Sequence, residues 1–177
     1  GGRLYVNPVR ELFPGLWDEV PLERFIVHEG VTVMAGERSL TLDYSGDELR
    51  AAPHQSYSVL RSRVDRWISE RLEEKGVMIL PKTRVDDAIR ENGKIAGVIA
   101  GGDDLRADVV VACDGVVSLL AEKAGLHPPG RAEHYAVGIK EVIALDPSRI
   151  NDRFNLDGNE GTARLYVGEV TGGLFGG

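Results

Sequence analysis

Ala107-Asp108-Val109-Val110-Val111-Ala112-Cys113-Asp114-Gly115-Val116-Val117-Ser118 is the stretch on which the fold turns. From Val109 it is β-branched and apolar on both faces, which predicts a buried parallel strand in the middle of a sheet. Asp114-Gly115 breaks the run, and a short helix is expected from about Val116 to Ala124, ended by Gly125. A strand feeding straight into a helix start offers unpaired N–H groups and a positive dipole end to an anion such as a pyrophosphate. The same residues carry a plainer reading, with Asp114 as the N-cap of the helix. A carboxylate repels a phosphate, so the Asp114 side chain is expected to orient or cap, while Gly115 permits close backbone approach. Cys113, at the end of the expected buried strand, reads as a packed small apolar residue.

Working back from this stretch, Gly101-Gly102-Asp103-Asp104 predicts a tight turn, and Asn92-Gly93 between residues 83–89 and 94–100 predicts a β-hairpin. Val77-Met78-Ile79-Leu80 reads as a short buried strand ended by Pro81. Before it, Leu60, Val64, Trp67, Ile68 and Leu72 recur at helical spacing, predicting a helix over about 61–75 capped by Gly76. Residues 25–34 and 39–44 alternate in period two around Ala35-Gly36-Glu37-Arg38, which predicts a hairpin burying Phe25, Val27, Val31 and Val33. Pro8 to Leu12 reads as a short helix. Downstream, 134–145 and 162–170 are candidate strands. The order is β-rich, then α/β with an inserted hairpin, then β-rich again, as two interleaved subdomains would give.

Composition excludes more than it assigns. The chain has 177 residues, 42% apolar and 28% charged, with 21 basic against 28 acidic side chains and a net charge of −7. That size suits one domain, and the negative balance argues against nucleic acid or an anionic membrane as a large electrostatic partner. Cys113 is the one cysteine, so no internal disulfide is expected and a reducing cytoplasm is the simplest compartment. The longest apolar run, Val109 to Cys113, is far too short to span a bilayer. No C-x-x-C, H-x-x-x-H or H-E-x-x-H occurs, so no metal site is expected from local spacing. A G-x-S-x-G elbow, a P-loop and a G-x-G-x-x-G are likewise missing from the sequence. The paired acids Asp86-Asp87 and Asp103-Asp104 read as solvated or turn-forming groups.

A second cluster is Tyr57-Ser58-Val59-Leu60-Arg61-Ser62-Arg63-Val64-Asp65-Arg66-Trp67. Arg61 stands at the helix start, an unfavourable end for a cation without an anionic partner, which marks it for phosphate ahead of Arg63 or Arg66. Three solvated arginines on a polar face is the competing reading.

Taken in order, these motifs form a familiar set. Gly1-Gly2-Arg3-Leu4-Tyr5, Leu12-Phe13-Pro14, Pro21-Leu22-Glu23-Arg24, the Tyr57–Trp67 helix start, Thr83-Arg84-Val85, the Asn92-Gly93 hairpin, Asp114-Gly115-x-x-Ser118 and Tyr166-Val167-Gly168 resemble the FixC and electron-transfer-flavoprotein:quinone oxidoreductase family. These are glutathione-reductase-like flavoproteins related to geranylgeranyl reductases. Val64 stands where that family's Y-x-V-x-R-x-x-F-D-x-W/L pattern has Phe. The resemblance covers essentially the whole chain. It implies an α/β fold (an α+β mixture): part of a glutathione-reductase-like FAD-binding domain, residues 1–24 and 57–130, with an inserted β-hairpin. This is interleaved with a mainly antiparallel β-sheet domain on the substrate or quinone side, residues 25–56 and 131–177.

The resemblance further implies an FAD-dependent oxidoreductase. Its partners would be an electron-transfer flavoprotein or a ferredoxin-like protein, with a quinone and peripheral contact with the inner face of the membrane allowed. Arg61 matches a contact to the FAD phosphates or ribose. Val85 matches a backbone that reads the adenine edge. Cys113, Asp114 and Gly115 match the motif near the pyrophosphate, and Gly1 and Gly2 match a loop brought close to the flavin ring. No residue matches a catalytic acid or base, so the chemistry would be the flavin's own. A geranylgeranyl-reductase or aromatic-hydroxylase type would differ in a substrate pocket lined by the 134–170 strands. A non-catalytic α/β interaction module is the alternative from another class. The family places a G-x-G-x-x-G unit before Gly1 and further sheet after Gly177, so the chain is expected to be the central portion of such a protein.

Overall fold

The computed structural model of the chain describes residues 2–128, 130 and 132–177. Gly1, expected near a flavin ring, lies outside the described residues. Along the chain the elements are β1 (Gly2–Tyr5), α1 (Val6–Leu12), β2 (Phe25–Ala35), β3 (Arg38–Ser45), β4 (Ser56–Val59) and α2 (Arg61–Glu74). They continue with β5 (Val85–Glu91), β6 (Lys94–Ala100), β7 (Asp103–Arg106), α3 (Leu119–Lys123), α4 (Pro147–Phe154), β8 (Glu160–Gly168) and β9 (Phe175–Gly176). The chain is an α/β mixture of two compact units, Gly1–Val77 with Glu141–Gly177, and Met78–Lys140.

The first unit is built on a six-stranded sheet in the order β1-β4-β2-β8-β9, with β3 also paired to β2. The pairing of β2 with β8 is parallel and the other pairings are antiparallel. Its core comes from several elements: Val6, Trp17, Ile26, Val27, Val59 and Val64 are buried. Each such side chain contributes roughly 1.5–3 kcal/mol when removed from water. Ser56 is wholly buried and accepts from Arg3 Nε at 2.7 Å, while Arg3 Nη2 reaches Glu29 at 2.5 Å, so one guanidinium ties β1 to β4 and β2.

The β2–β3 hairpin forms where its alternation predicts, with Gly36 at φ 56° in the turn, but its buried face is the opposite one. The pairing of β2 with β8 skips a residue between Ile26 and His28. This bulge at Val27 shifts the phase by one, burying both Ile26 and Val27 and then turning Val31 and Val33 outward. Gly30 and Thr32 face inward instead, and Thr32, 6% exposed, shares a 2.9 Å hydroxyl hydrogen bond with Thr41.

The second unit is a three-stranded antiparallel meander, β5-β6-β7, with α3 packed against β5. Asn92 and Gly93 both adopt positive φ, 49° and 77°, as a tight hairpin turn requires, and Gly101-Gly102 makes the next turn at 63° and 95°. Gly125, φ 76°, follows the end of α3.

Three expected strands are not formed. Residues 109–113 form no strand and pair with none among the described residues, and Val109 and Val111 are each 76% exposed instead of buried. Val77–Leu80 is irregular, with Met78 fully on the surface, and 135–145 is coil, with Val137 and Ile139 more than 90% exposed. β-propensity marks residues able to fill a half-buried pleated surface, and strand formation needs a partner to supply that surface. The helix expected over 116–124 is shorter, confined to α3.

Candidate functional site

In the first unit, antiparallel pairing places Gly2 opposite Val59, two residues before Arg61. The chain leaves β4, passes Leu60 in an extended conformation and enters α2 at Arg61. The Arg61 side chain is 69% exposed, and its Nε and Nη2 donate to the two Asp65 carboxylate oxygens at 2.9 and 3.2 Å, one helical turn away. The hydrogen bond and the charge of Asp65 hold the guanidinium above the usual arginine range. Asp65 thereby offsets the unfavourable placement of a cation at a helix start, and the fork remains open to water on its other edge. Arg63 is also on the surface and donates to Glu23 at 2.9 Å. At Gly2 a side chain would meet nothing within 4 Å, so the backbone is accessible.

In the second unit, Val85 opens β5 opposite Ala100, with its side chain partly exposed. Asp114 and Gly115 lie on the surface just before α3, next to exposed Cys113, which is therefore not the packed residue its apolar setting suggested. Asp114 Oδ2 accepts from the backbone N–H of Leu120 at 2.6 Å and of Ala121 at 3.3 Å. Partial desolvation would raise its pKa. Those N–H groups, its own N–H and the nearby His127 charge outweigh that and hold the carboxyl below the usual range. The N-cap position of α3 is Ser118 rather than Asp114, but the Asp114 carboxylate takes two N–H groups of the helix start from outside it, and its charge disfavours a phosphate at that end of the five-residue α3. Gly115 at φ 70° and Ser118 at φ 49° close the turn, with Ser118 Oγ donating to the Gly115 carbonyl at 2.6 Å. Gly115 has nothing within 4 Å of a side-chain position, so its backbone too is open.

The structure therefore joins Gly2 with Arg61 in one unit, and Cys113, Asp114 and Gly115 in the other, where Asp114 binds α3, the helix against the strand that Val85 opens. Arg3, which pins the strand carrying Gly2, was not distinguished by sequence. Only its place in Gly1-Gly2-Arg3-Leu4-Tyr5 could have pointed to it.

A family model described as an FAD binding domain matches residues 14–156, a span holding Arg61, Val85 and the Cys113-Asp114-Gly115 motif. The chain belongs to this FAD-binding family. Its cofactor is FAD. Among curated relatives, the protein FixC of Salmonella typhi is 48% identical over all of this chain. Two Escherichia coli proteins named probable electron transfer flavoprotein-quinone oxidoreductases, YdiS and YgcN, are 44% and 41% identical, again over the whole chain. The chain spans 41% of the length of each of these relatives.

The donor set suits the cofactor in kind. FAD carries two phosphates, a ribose and a flat ring, and the chain offers an exposed guanidinium at Arg61 and accessible glycine backbone at Gly2 and Gly115. No helix among the described residues is long and apolar enough to cross a membrane.

Proposed function

We propose that this chain is part of an FAD-dependent oxidoreductase that passes electrons between an electron-transfer flavoprotein, or a ferredoxin-like protein, and a quinone. The observation carrying this reading is the FAD-binding match over 14–156, combined with identity above 40% along the entire chain to proteins named for that electron transfer. The residues fall into roles consistent with it. Arg61 would hold the FAD phosphates or ribose, exchanging part of its bond to Asp65 for a charge-assisted bond to the ligand. The Val85 backbone would take the adenine edge. The Cys113-Asp114-Gly115 turn would lie near the pyrophosphate, with Gly115 supplying open backbone and Asp114 holding the turn to α3 without its carboxylate touching the phosphate. Gly1 and Gly2 would lie near the flavin ring.

The flavin supplies the redox chemistry when bound, and this chain contributes binding, orientation and shape rather than an acid or base. Residues 1–24 and 57–130 serve the cofactor side, and 25–56 and 131–177 the quinone side. These functional assignments cut across the compact units, since β1, β4 and β2 share one sheet. The protein would work on the cytoplasmic side, peripheral to the inner face of the membrane where a quinone is reached.

The test is anaerobic reduction of the whole flavin-loaded protein. Reduced electron-transfer flavoprotein, or reduced ferredoxin in a parallel arm, should bleach the flavin absorbance, and a water-soluble quinone should restore it. A flavin that neither protein reduces, or that the quinone leaves reduced, overturns the electron-transfer reading.

A further inference from the structure

Ser56, the first residue of β4, has no exposed surface, and its hydroxyl oxygen accepts the Arg3 Nε–H at 2.7 Å. Arg3 Nη2 donates to Glu29 Oε1 at 2.5 Å, and the guanidinium carbon lies 4.6 Å from the centre of the Tyr5 ring. One side chain is thus fixed by groups on three strands. The Arg3 and Glu29 side chains are 21% and 38% exposed, against 69% and 52% for the Arg61–Asp65 pair on α2. Better shielding makes the first pair the stronger constraint. Among the described residues β4 and β2 share one register pair, Phe25 with Tyr57, and Glu29 lies beyond it along β2. Arg3 therefore spans the sheet where those two strands are no longer laddered.

β1 has little else to set its register. Gly2 and Tyr5 are exposed, Arg3 and Leu4 are half-buried, and no apolar face alternates along the strand. Such a strand specifies its pairing weakly. Val6, 1% exposed and with its N–H on the Gln55 carbonyl at 3.1 Å, holds the end that leads into α1. Arg3 holds the other end, beside Gly2. Gly2 in turn pairs with Val59, from which the chain passes through Leu60 to Arg61. A slip of one residue would carry Gly2 about 3.3 Å along β4, whereas a binding constellation tolerates errors on the order of 0.5 Å. We infer that Arg3 is a positioning residue for FAD: by holding Ser56 and Glu29 together it fixes the Gly2 backbone relative to Arg61, so that one cofactor meets both. The premise is the placement of Gly2 and Arg61 against FAD proposed above. Arg3 acts through the strand, and its fork is what the task requires. An ammonium is a single point and does not place aligned donors on both acceptors.

The test uses the whole flavin-binding protein and three readouts: the FAD dissociation constant, the visible spectrum of the bound flavin, and the melting temperature without flavin. Arg3→Lys keeps the charge but not the fork, and should weaken FAD about ten-fold while shifting the flavin absorbance band. Glu29→Gln leaves Arg3 in place with one bond weakened, and should weaken FAD several-fold with a smaller shift. That variant decides the matter if Arg3→Lys fails to fold. Thr32→Ala, which also loses a buried hydrogen bond in this sheet, shows what a purely structural loss looks like: a lower melting temperature with FAD affinity and spectrum unchanged. Arg61→Ala separates the inference from its premise. If Arg61→Ala weakens FAD while the Arg3 and Glu29 variants keep the parent's affinity and spectrum, Arg3 is a structural tie alone and the inference falls while the premise stands. If Arg61→Ala binds FAD as tightly as the parent, the premise falls and the inference with it.

Discussion

Arg164 and Asp43 form a 3.2 Å ion pair across the bare backbone of Gly30, which lies between them in the sheet, in register with both. A Cβ at Gly30 would sit 3.1 Å from Asp43 Oδ1 and 3.4 Å from Arg164 Cγ, so the absence of a side chain there is what lets the pair span three strands. With both partners partly solvated, a double-mutant cycle of Arg164→Met and Asp43→Asn should give a coupling of about 0.5–1 kcal/mol that shrinks with added salt. In a Gly30→Val background the coupling should vanish. Urea unfolding of the four chains in each background measures it.

The inverted face of the β2–β3 hairpin has its own test. Thr32→Ala removes a buried hydroxyl bonded to Thr41, and should cost about 1 kcal/mol. Val33→Thr, one residue on but half exposed, should change stability by less than about 0.5 kcal/mol. If Val33→Thr proves the more costly of the two, the phase shift at Val27 is wrong.

Two glycines are required by space as well as by backbone angle. Gly97 at φ 154° and Gly168 at φ 134° would each drive a Cβ into backbone, against the Leu105 and Met34 carbonyl oxygens respectively. Gly97→Ala and Gly168→Ala should each destabilise by roughly 2 kcal/mol or more. Gly102, at φ 95° with nothing within 4 Å, supplies the control, since its alanine variant carries strain without a clash and should cost about 1 kcal/mol. Equal losses at all three would show that the clashes relax freely.

Asp146 caps α4, accepting from the Ser148 hydroxyl at 2.5 Å and the Ser148 N–H at 2.9 Å. The hydroxyl first, then the Ser148 and Arg149 N–H groups, outweigh desolvation and lower its pKa. A carboxyl depressed in the folded state stabilises above its unfolded value, about 3.9, and loses that contribution as pH falls through the lower folded value. Asp146→Ala should therefore lower the melting temperature at neutral pH, and the gap to the parent should close below about pH 4. A gap that persists undiminished in acid would assign the effect to packing rather than charge.

Short-range chemistry made much of this fold readable. Asn92-Gly93, Gly101-Gly102 and the Leu60–Leu72 periodicity each carry their own geometry, and each forms where it was expected. The failures share one cause. Residues 109–113, 77–80 and 134–145 have the apolar content of strands, but a strand is completed by partners far away in sequence, which local pattern does not report. The bulge at Val27 was hidden for the same reason, since it exists only against β8. In the candidate site, Arg61 and Asp114 stand out because a charge at a helix start interacts with the helix dipole, although each residue also has a plainer reading.

The central claim is that this chain helps form an FAD site with Arg61 as a phosphate or ribose contact. Its most direct test is the flavin content and FAD dissociation constant of the whole purified protein, with Arg61→Ala and Arg63→Ala beside it. One FAD per chain is expected, with binding weakened about ten-fold or more by Arg61→Ala through loss of a charge-assisted bond, and little change for Arg63→Ala. A protein that carries no flavin and takes up none on reconstitution would contradict it.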